Sequence, residues 1–370
     1  MKSYGGIFAL LLALTLPIFA SGSQERQLER LAGGMLMVGF FGTEAGPKSE
    51  ICRQIRRYGL GGVILFDRNP VDPKRPKNIV DPVQLRRLTR QLRACSPDGK
   101  LLIAVDQEGG VVQRLKRKYG FYGRFPRAAE IAEAGESAAK RSFAKMAREL
   151  AQEGIDYDLA PVVDLALNPC NRVIVGWGRS YGKSAQRVTR YAALFIEAMH
   201  REGVVTALKH FPGHGSSLGD THKGFVDVTQ RWRPVELEPY RRLIRRGLAD
   251  SVMVAHVFNR RLDPDYPASL SARTVSGLLR GRLGYRGVVI TDDLQMGAIT
   301  RRYSLARSIE LAIEAGDDLL LFGNQLDPRH IESPQTLVRL IVKLVREGKI
   351  DRRRLEASAA RLRRLKEKIR

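Results

Sequence analysis

The sequence GVVTALKHFPGHG, residues 203–215, joins an apolar run typical of a buried strand to a cluster of charged and imidazole side chains. Pro212 lacks a backbone amide donor and Gly213 weakens a helix, so this cluster cannot form a regular helix. The polar groups must therefore lie on a loop that leaves the end of a strand. In α/β barrels, open pockets are built from loops of this kind.

The same stretch raises the question of a zinc site, because His210 and His214 have the i, i+4 spacing of two helical zinc ligands. That spacing has meaning only on a helix, which Pro212 and Gly213 exclude. Since the ligands would not share a helical face, we expect no metal site here.

Asp220 and His222 follow the cluster closely and favour proton transfer. On a turning segment, a carboxylate two residues from an imidazole can orient it and raise its basicity. The alternative is that Asp220 caps a turn and His222 is an ordinary surface residue.

Eight apolar, β-branched runs alternate along the chain with segments of helical periodicity. The predicted strands are residues 35–41, 62–66, 101–106, 156–163, 204–209, 251–256, 287–291 and 318–322. The helical segments include residues 83–94, 138–153, 184–202 and 305–315. This alternation predicts a parallel sheet, and eight units predict a single-domain α/β fold, a (β/α)8 TIM-like barrel. A doubly wound open sheet is the alternative.

Polar residues recur at the carboxyl ends of the predicted strands. Asp106, Lys209, His256 and Asp292 each stand at such an end. The loops at this rim of a barrel converge on one mouth, where catalytic groups gather. The placement therefore favours a barrel with one active site.

The amino terminus has a basic start at Lys2, an apolar run over residues 5–14 and small residues through Gly22. This order is typical of a secretory signal peptide, and the run is shorter than the ~20 residues of a spanning helix. We predict a signal peptide over residues 1–22 and export to the periplasm or cell envelope. An uncleaved anchor is the alternative. The catalytic barrel is then assigned to residues 23–350.

The formal charge indicates which classes of partner the chain favours. A formal net charge of +24 favours anionic surfaces, and association with an anionic cell envelope is one hypothesis. No zinc-finger spacing or aromatic–basic strip is present, so we expect no nucleic-acid partner.

Residues 351–370 form a basic segment with helical apolar spacing, which predicts a helix with a solvated face. Cys52, Cys95 and Cys170 allow one disulfide without saying which.

Three segments resemble motifs of glycoside hydrolase family 3, in its β-N-acetylglucosaminidase branch. They are KHFPGHG at residues 209–215 with the Asp-x-His dyad of residues 220–222, AVDQEGGVVQR at residues 104–114 and VITDDLQMGA at residues 289–298. They occur in the order of the family, and the resemblance extends from about Gly33 to Asn324.

The resemblance implies a retaining mechanism without metal or organic cofactor. Asp292 corresponds to the nucleophile, whereas the neighbouring Asp293 better fits a carboxylate that caps the next helix. His222 corresponds to the general acid/base, supported by Asp220. An imidazole repels an anionic acceptor less than a carboxylate does, which makes phosphorolysis a competitor to hydrolysis.

Further positions match residues that bind sugar hydroxyls in the family. They are Asp106, Arg114, Arg179, Lys209 and His210. Tyr181 and the pair Ser216-Ser217 depart from the usual pattern, which weakens the assignment of a subtype more than that of the reaction.

The resemblance implies a β-N-acetylhexosaminidase that removes terminal β-linked N-acetylglucosamine from peptidoglycan fragments. With the predicted signal peptide, we expect this enzyme to be exported, and we expect a monomer. A β-glucosidase or a β-N-acetylglucosaminide phosphorylase on the same barrel is the enzymatic alternative. A non-catalytic barrel that binds cell wall is the alternative of another class.

Overall fold

The computed structural model describes residues 16–369, with side chains from residue 22 onward. The first fifteen residues of the predicted signal peptide therefore lie outside the described residues, and helix α1 (Leu16–Gly34) begins within its last part. In the described part of the chain, no helix is both long and apolar enough to cross a membrane.

The strands of the described residues are β1 (Leu36–Gly39), β2 (Gly62–Ile64), β3 (Leu102–Val105), β4 (Tyr157–Asp158), β5 (Val205–Phe211), β6 (Val226–Asp227), β7 (Ser251–Val254), β8 (Val257–Phe258), β9 (Val288–Thr291) and β10 (Leu320–Phe322). Eight of them form the parallel barrel, in the spatial order β10-β1-β2-β3-β4-β5-β7-β9. A parallel bridge between Ile290 and Leu319 joins the two ends of the sheet. The predicted (β/α)8 barrel is confirmed, and β6 and β8 form a separate parallel pair.

Helices surround the barrel and alternate with its strands. The others are α2 (Glu50–Tyr58), α3 (Pro82–Cys95), α4 (Ala128–Glu133), α5 (Glu136–Gln152), α6 (Ala185–Arg201), α7 (Glu238–Arg245), α8 (Gly297–Thr300), α9 (Leu305–Ala315), α10 (Pro334–Arg346) and α11 (Arg352–Lys366), with a π-helix at Arg273–Arg282. At the start of several helices, a side-chain oxygen accepts a hydrogen bond from a backbone amide of the first turn. The residues that provide this oxygen include Ser49, Asp81, Ser184 and Ser304. Such caps satisfy amide donors that the helix itself leaves unpaired.

The basic segment near the carboxyl terminus does more than present a solvated face. Leu362 and Leu365 of α11 are buried in the same apolar cluster as the side chains inside the barrel. Arg361 pairs with Asp318 at 2.8 Å and Lys368 with Asp250 at 2.8 Å, and both aspartates precede a barrel strand. Helix α11 therefore covers the amino-terminal end of the barrel, opposite the predicted active-site mouth.

One disulfide joins two neighbouring helices. Cys52 of α2 and Cys95 of α3 are bonded, with their Cα atoms 5.2 Å apart. Cys170 is free and exposed. The structure thus supplies the pairing that an odd count of cysteines left open.

Candidate active site

A cavity of about 350 Å³ opens at the carboxyl ends of the strands. All eight side chains predicted to act in catalysis or sugar binding line it: Asp106, Arg114, Arg179, Lys209, His210, Asp220, His222 and Asp292. His256, the remaining polar residue at a strand end, is buried beneath it and contacts Ser269 and the carbonyl of Asp293. The strand ends therefore converge on one mouth, as the sequence predicted.

One wall of the cavity is a network of paired charges, which we call the sugar clamp (Asp106, Glu108, Arg114, Arg179 and Lys209). The ammonium of Lys209 lies 3.0 Å from Asp106 Oδ1 and 2.7 Å from Glu108 Oε1. Arg114 Nη2 donates to Asp106 Oδ2 at 2.9 Å. Arg179 donates twice to Glu108, from Nε and Nη2, both at 2.7 Å. Each cation is thereby held by at least one carboxylate.

The clamp continues through His210 to a second buried carboxylate. His210 Nε2 lies 3.3 Å from Arg179 Nη2, and its Nδ1 lies 2.7 Å from Asp164 Oδ2. Asp164 also accepts the backbone amide of His214 at 2.8 Å. This carboxylate fixes both the imidazole of His210 and the loop that follows it.

Two residues of this network, Glu108 and Asp164, were not predicted from the sequence. Glu108 lies two residues beyond Asp106, and side chains at that separation share a face of extended backbone. Asp164 directly follows the predicted strand 156–163, so it occupies a strand end like the residues that were selected. Both signals were present in the sequence, but the partners are 71 and 46 residues away.

The electrostatics of the clamp keep its carboxylates ionised. Burial by itself would raise the pKa of Asp106 and Glu108, because it disfavours the charged form. Lys209 with Arg114 outweighs burial at Asp106 and lowers its pKa, while Arg179 with Lys209 lowers the pKa of Glu108 to about 2. The clamp therefore presents ionised carboxylates and cations in fixed positions to the cavity.

The two adjacent aspartates after β9 have different surroundings. Asp293 accepts hydrogen bonds from the backbone amides of Gln295 at 3.0 Å and Gly323 at 3.2 Å, one at each carboxylate oxygen. The carboxylate of Asp292 accepts only the amide of Asp293, at 2.9 Å, among residues 16–369. Asp292 thus leaves an oxygen for chemistry, whereas Asp293 is engaged in structure.

The pKa values of this pair move in opposite directions. Burial raises the pKa of Asp293 to about 6, and the charge of Asp292 adds to the effect. Burial also opposes ionisation of Asp292, but interaction with the imidazoles of His256 and His210 outweighs it and lowers the pKa of Asp292. Asp292 therefore loses its proton at a lower pH than Asp293, which suits a nucleophile.

The dyad of Asp220 and His222 lies on a more exposed part of the cavity wall. His222 Nδ1 lies 2.8 Å from Asp220 Oδ1, which also accepts the His222 amide at 3.0 Å. Partial burial by itself would raise the pKa of Asp220, but the hydrogen bonds with His222 outweigh it and lower this pKa. The His222 side chain lines the cavity and is 49% exposed, and its Nε2 makes no hydrogen bond to the described residues.

Backbone contacts hold this loop against the start of α8. The amides of Gly297 and Ala298 donate to the carbonyls of His222 at 3.2 Å and Thr221 at 3.1 Å. A Cβ added to Gly297 would lie 2.9 Å from the His222 carbonyl oxygen. The segment that carries Asp292 therefore also positions the dyad, and it does so through a close approach that only glycine permits.

The loop between His210 and the dyad rests on a buried acid. Ser216 Oγ donates to Glu236 Oε1 at 2.7 Å, at the position where the sequence departs from the family pattern. The other oxygen of Glu236 is buried without a partner among the described residues. Burial raises the pKa of Glu236 to about 7.

The histidines of this region are engaged in other contacts. His214 Nδ1 lies 2.7 Å from Ser217 Oγ, and burial lowers the pKa of His214 to about 4. Over residues 16–369, the His, Cys, Asp and Glu side chains form no group of three or more that could hold a metal ion. The lining of the cavity is instead suited to binding a polyhydroxylated ligand and to moving a proton.

The mouth of the (β/α)8 barrel brings together the carboxylate of Asp292, the Asp220–His222 dyad and the clamp, a combination of groups that glycoside hydrolysis can use. Residues 27–365 match the model of the glycosyl hydrolase family 3 N-terminal domain. The chain belongs to glycosyl hydrolase family 3.

Individual relatives support the same family. The chain is 36% identical over 299 residues to a β-hexosaminidase of Xanthomonas axonopodis pv. citri (strain 306), covering 78% of this chain and 83% of that one. A solved family 3 β-N-acetylglucosaminidase from Paenibacillus sp. str. FPU-7 superposes with a TM-score of 0.81 at 34% identity. That match covers 92% of this chain but only 62% of the Paenibacillus chain.

A second solved structure is similar over nearly its whole length. The β-N-acetylhexosaminidase from Beutenbergia cavernae DSM 12333 has a TM-score of 0.78 and 30% identity. The match covers 92% of this chain and 98% of that chain. The barrel described here therefore corresponds to almost all of that relative.

Proposed function

We propose that this enzyme is a retaining β-N-acetylglucosaminidase with Asp292 as nucleophile and His222 as general acid/base. The observation that carries the proposal is that the unpaired carboxylate of Asp292 and the Asp220–His222 dyad line one cavity with the sugar clamp. The β-hexosaminidase and β-N-acetylglucosaminidase relatives support the preference for an acetamido sugar.

In the proposed reaction, Asp292 attacks the anomeric carbon while His222 donates a proton to the leaving oxygen. The glycosidic bond breaks through an oxocarbenium-like transition state, and a covalent glycosyl–enzyme results. His222 then removes a proton from water, which displaces Asp292 and releases the sugar with its original configuration. Asp220 holds the imidazole and stabilises its protonated form in both steps.

We further propose an exported enzyme that acts on peptidoglycan fragments. The Cys52–Cys95 disulfide supports export, because disulfides persist in oxidising compartments. The net charge of +24 supports work near an anionic envelope. Phosphorolysis is the second candidate, because the acid/base is an imidazole that can be neutral when an anionic acceptor approaches.

The first experiment compares turnover of 4-nitrophenyl β-N-acetylglucosaminide with that of the β-glucoside. We expect a strong preference for the acetamido sugar and a loss of about 10⁴-fold or more in kcat for Asp292→Ala. Asp265→Ala removes an exposed carboxylate and serves as the matched control.

Each outcome of this experiment separates two ideas. A preference for the glucoside would leave the mechanism in place but contradict the proposed substrate. Activity that survives in Asp292→Ala would show that Asp292 is not the nucleophile. Addition of phosphate distinguishes the second candidate, because a phosphorylase would release the sugar 1-phosphate.

A further inference from the structure

One polar residue at a strand end, His256, takes no part in the proposed reaction. It lies between β7 and β8, in a segment that is tied to two others by backbone hydrogen bonds. The amide of Asp292 donates to the carbonyl of Val254 at 2.9 Å, and the amide of Ser269 donates to the carbonyl of Ala255 at 3.1 Å. The segment of His256 is therefore attached both to the nucleophile of the proposed reaction and to the turn of Ser269.

Both nitrogens of the His256 ring are hydrogen-bonded, and the side chain is fully buried. Nδ1 lies 2.6 Å from Ser269 Oγ, and Nε2 lies 2.9 Å from the carbonyl oxygen of Asp293. Because a carbonyl oxygen can only accept, Nε2 carries the proton and donates. Burial lowers the pKa of His256 against the opposing charge of Asp292, which favours the neutral ring. In the neutral ring Nδ1 accepts, so the hydroxyl of Ser269 donates to it.

The bond to Asp293 is important because this residue stands between the buried ring and the nucleophile. The amide of Asp293 donates to Asp292 Oδ1 at 2.9 Å, which is the sole hydrogen bond of that carboxylate within residues 16–369. The orientation of Asp293 therefore determines where this amide points, and with it which position the Asp292 carboxylate adopts.

Two kinds of contact hold the carbonyl of Asp293. The amide of Met296 donates to it at 2.9 Å, which closes a turn within the same segment. His256 donates to the same oxygen from another strand end. The first contact shapes the turn, whereas the second fixes the turn relative to β7. Attack on an anomeric carbon depends on such placement, because a displacement of about 1 Å can lower a rate by about 10²-fold.

We propose that His256 is a positioning residue for the nucleophile. Its Nε2–H holds the carbonyl of Asp293 so that the amide of this residue points at Asp292, and Ser269 keeps the ring in the required tautomer. The assignment rests on the proposed role of Asp292 and adds a residue that touches neither substrate nor reacting atoms. It implies that the reaction needs a hydrogen-bond donor at the position of Nε2 rather than an imidazole.

The test compares one variant that keeps this donor with one that loses it. In His256→Gln, the side-chain amide nitrogen can donate from near the position of Nε2, whereas the side chain of His256→Leu donates nothing. For His256→Leu, we expect kcat/KM to fall about 10- to 100-fold. The inhibition constant of N-acetylglucosamine as a competitive inhibitor should stay unchanged, since the sugar clamp is intact. His256→Gln should recover most of the lost kcat/KM.

The dependence on the leaving group distinguishes this role from that of the acid/base. A misplaced nucleophile slows attack on every glycoside, so His256→Leu should lose kcat/KM similarly on nitrophenyl glycosides and on glycosides with poor leaving groups. Loss of a proton donor such as His222 affects mainly the poor leaving groups.

Ser269→Ala tests the second half of the assignment. Alone, it should lower kcat/KM about fivefold, because Nδ1 loses its donor and the ring can change its tautomer. In the His256→Gln background it should cause no further loss, since no ring remains to be oriented. Additive losses would overturn the assignment, and this comparison decides the matter if His256→Leu does not fold.

His200→Gln is the matched control for stability. His200 Nε2 lies 2.6 Å from the buried carboxylate of Asp250, which precedes β7 at the other end of the barrel. Its replacement should lower the free energy of unfolding without lowering kcat/KM per folded enzyme. An equal loss of kcat/KM in His200→Gln and His256→Leu would assign the effect of His256 to general stability.

Further outcomes separate this assignment from the proposed function. A loss in His256→Gln as large as in His256→Leu would overturn it, because the restored donor would then be irrelevant. Unchanged kcat/KM in His256→Leu, or a loss confined to poor leaving groups, would overturn it as well. Activity that survives in Asp292→Ala would instead refute the proposed nucleophile, whatever the variants of His256 show.

Discussion

The two sides of the active-site cavity are built in different ways. On the clamp side, the charges of Lys209 and Glu108 are almost fully buried, and each is paired. On the dyad side, the His222 side chain is 49% exposed and sits on a loop held largely by backbone contacts. The comparison separates a buried, fully paired part, which in the proposed function holds the sugar, from an open part, which in the proposed reaction exchanges protons with water.

Physical chemistry explains why the division falls there. Buried charges are tolerated only when partners compensate the loss of hydration, which requires the fixed geometry found at and just beyond the ends of the barrel strands. A general acid/base must instead receive a water molecule in the second half of the proposed reaction. An imidazole on an accessible loop meets that need without a strained or desolvated charge.

The largest expected effect comes from breaking the clamp. Glu108→Ala leaves the cations of Arg179 and Lys209 without their shared carboxylate in a buried site. We expect the free energy of unfolding to fall by about 3–5 kcal/mol, measured by chemical denaturation, with a large loss of kcat/KM. Glu44→Ala, which breaks an exposed pair with Arg87, should cost less than about 1 kcal/mol. Similar costs for the two variants would contradict a rigid clamp.

Removal of the acid/base should affect activity and leave stability nearly unchanged. For His222→Ala, we expect kcat to fall about 10³-fold on glycosides with poor leaving groups and much less on nitrophenyl glycosides. The free energy of unfolding should change by less than about 0.5 kcal/mol, because the side chain is half-exposed. Equal losses on both kinds of glycoside would exclude His222 as the proton donor.

A pH effect should arise at Glu236, beneath the loop that links the two sides. Its pKa is raised from 4.5 to about 7 in the folded protein, so folding opposes its ionisation. The favourable contribution is complete below about pH 4.5 and is lost as the pH rises through about 7, by roughly 2–3 kcal/mol. Glu236→Gln should reduce this decline in stability between pH 5 and pH 8.

Denaturation curves at several pH values provide the measurement for Glu236. Glu133→Gln changes an exposed glutamate in the same way and is the matched control. A pH profile of stability that is the same in Glu236→Gln and in the wild type would show that this acid ionises freely in the folded state.

The smallest expected effect concerns the attachment of the dyad to α8. In Gly297→Ala, the new methyl group would approach the carbonyl of His222 and displace the loop. We expect kcat to fall about tenfold on glycosides with poor leaving groups, which corresponds to ~1.4 kcal/mol in the barrier. Gly277→Ala is the control, because its methyl group would meet only an ordinary contact at 3.7 Å. Equal activity in both variants would show that the contact with α8 does not position the loop of Asp220 and His222.

The sequence predicted the barrel because its signals are local. Each strand of the sheet overlaps a predicted apolar run, although β5 continues to Phe211, so Lys209 and His210 lie on the strand and not on the predicted loop. The run at residues 156–163 contributes only Tyr157–Asp158 as regular strand, since Pro161 has no amide to donate to a neighbour. The two-residue strands β6 and β8 are too short to produce a periodic signal.

The parts that could not be predicted depend on distant partners. The acidic residues Glu108 and Asp164 acquire their roles only when Arg179 and His210 are brought to them by the closed sheet. Likewise, the choice of Cys52 and Cys95 requires the neighbouring positions of α2 and α3. The amphipathic pattern of α11 indicated that one face is covered, but no local pattern tells what covers it.

The position of α11 has a consequence for the order in which the molecule is assembled during synthesis. Leu362 and Leu365 complete the packing inside the barrel, although they follow every one of its strands in the chain. Until they emerge from the ribosome, the inner side chains at the amino-terminal end of the sheet lack their cover. A chain with all eight strands is thus still an unfinished domain, and premature termination before α11 would release a barrel with an open apolar base.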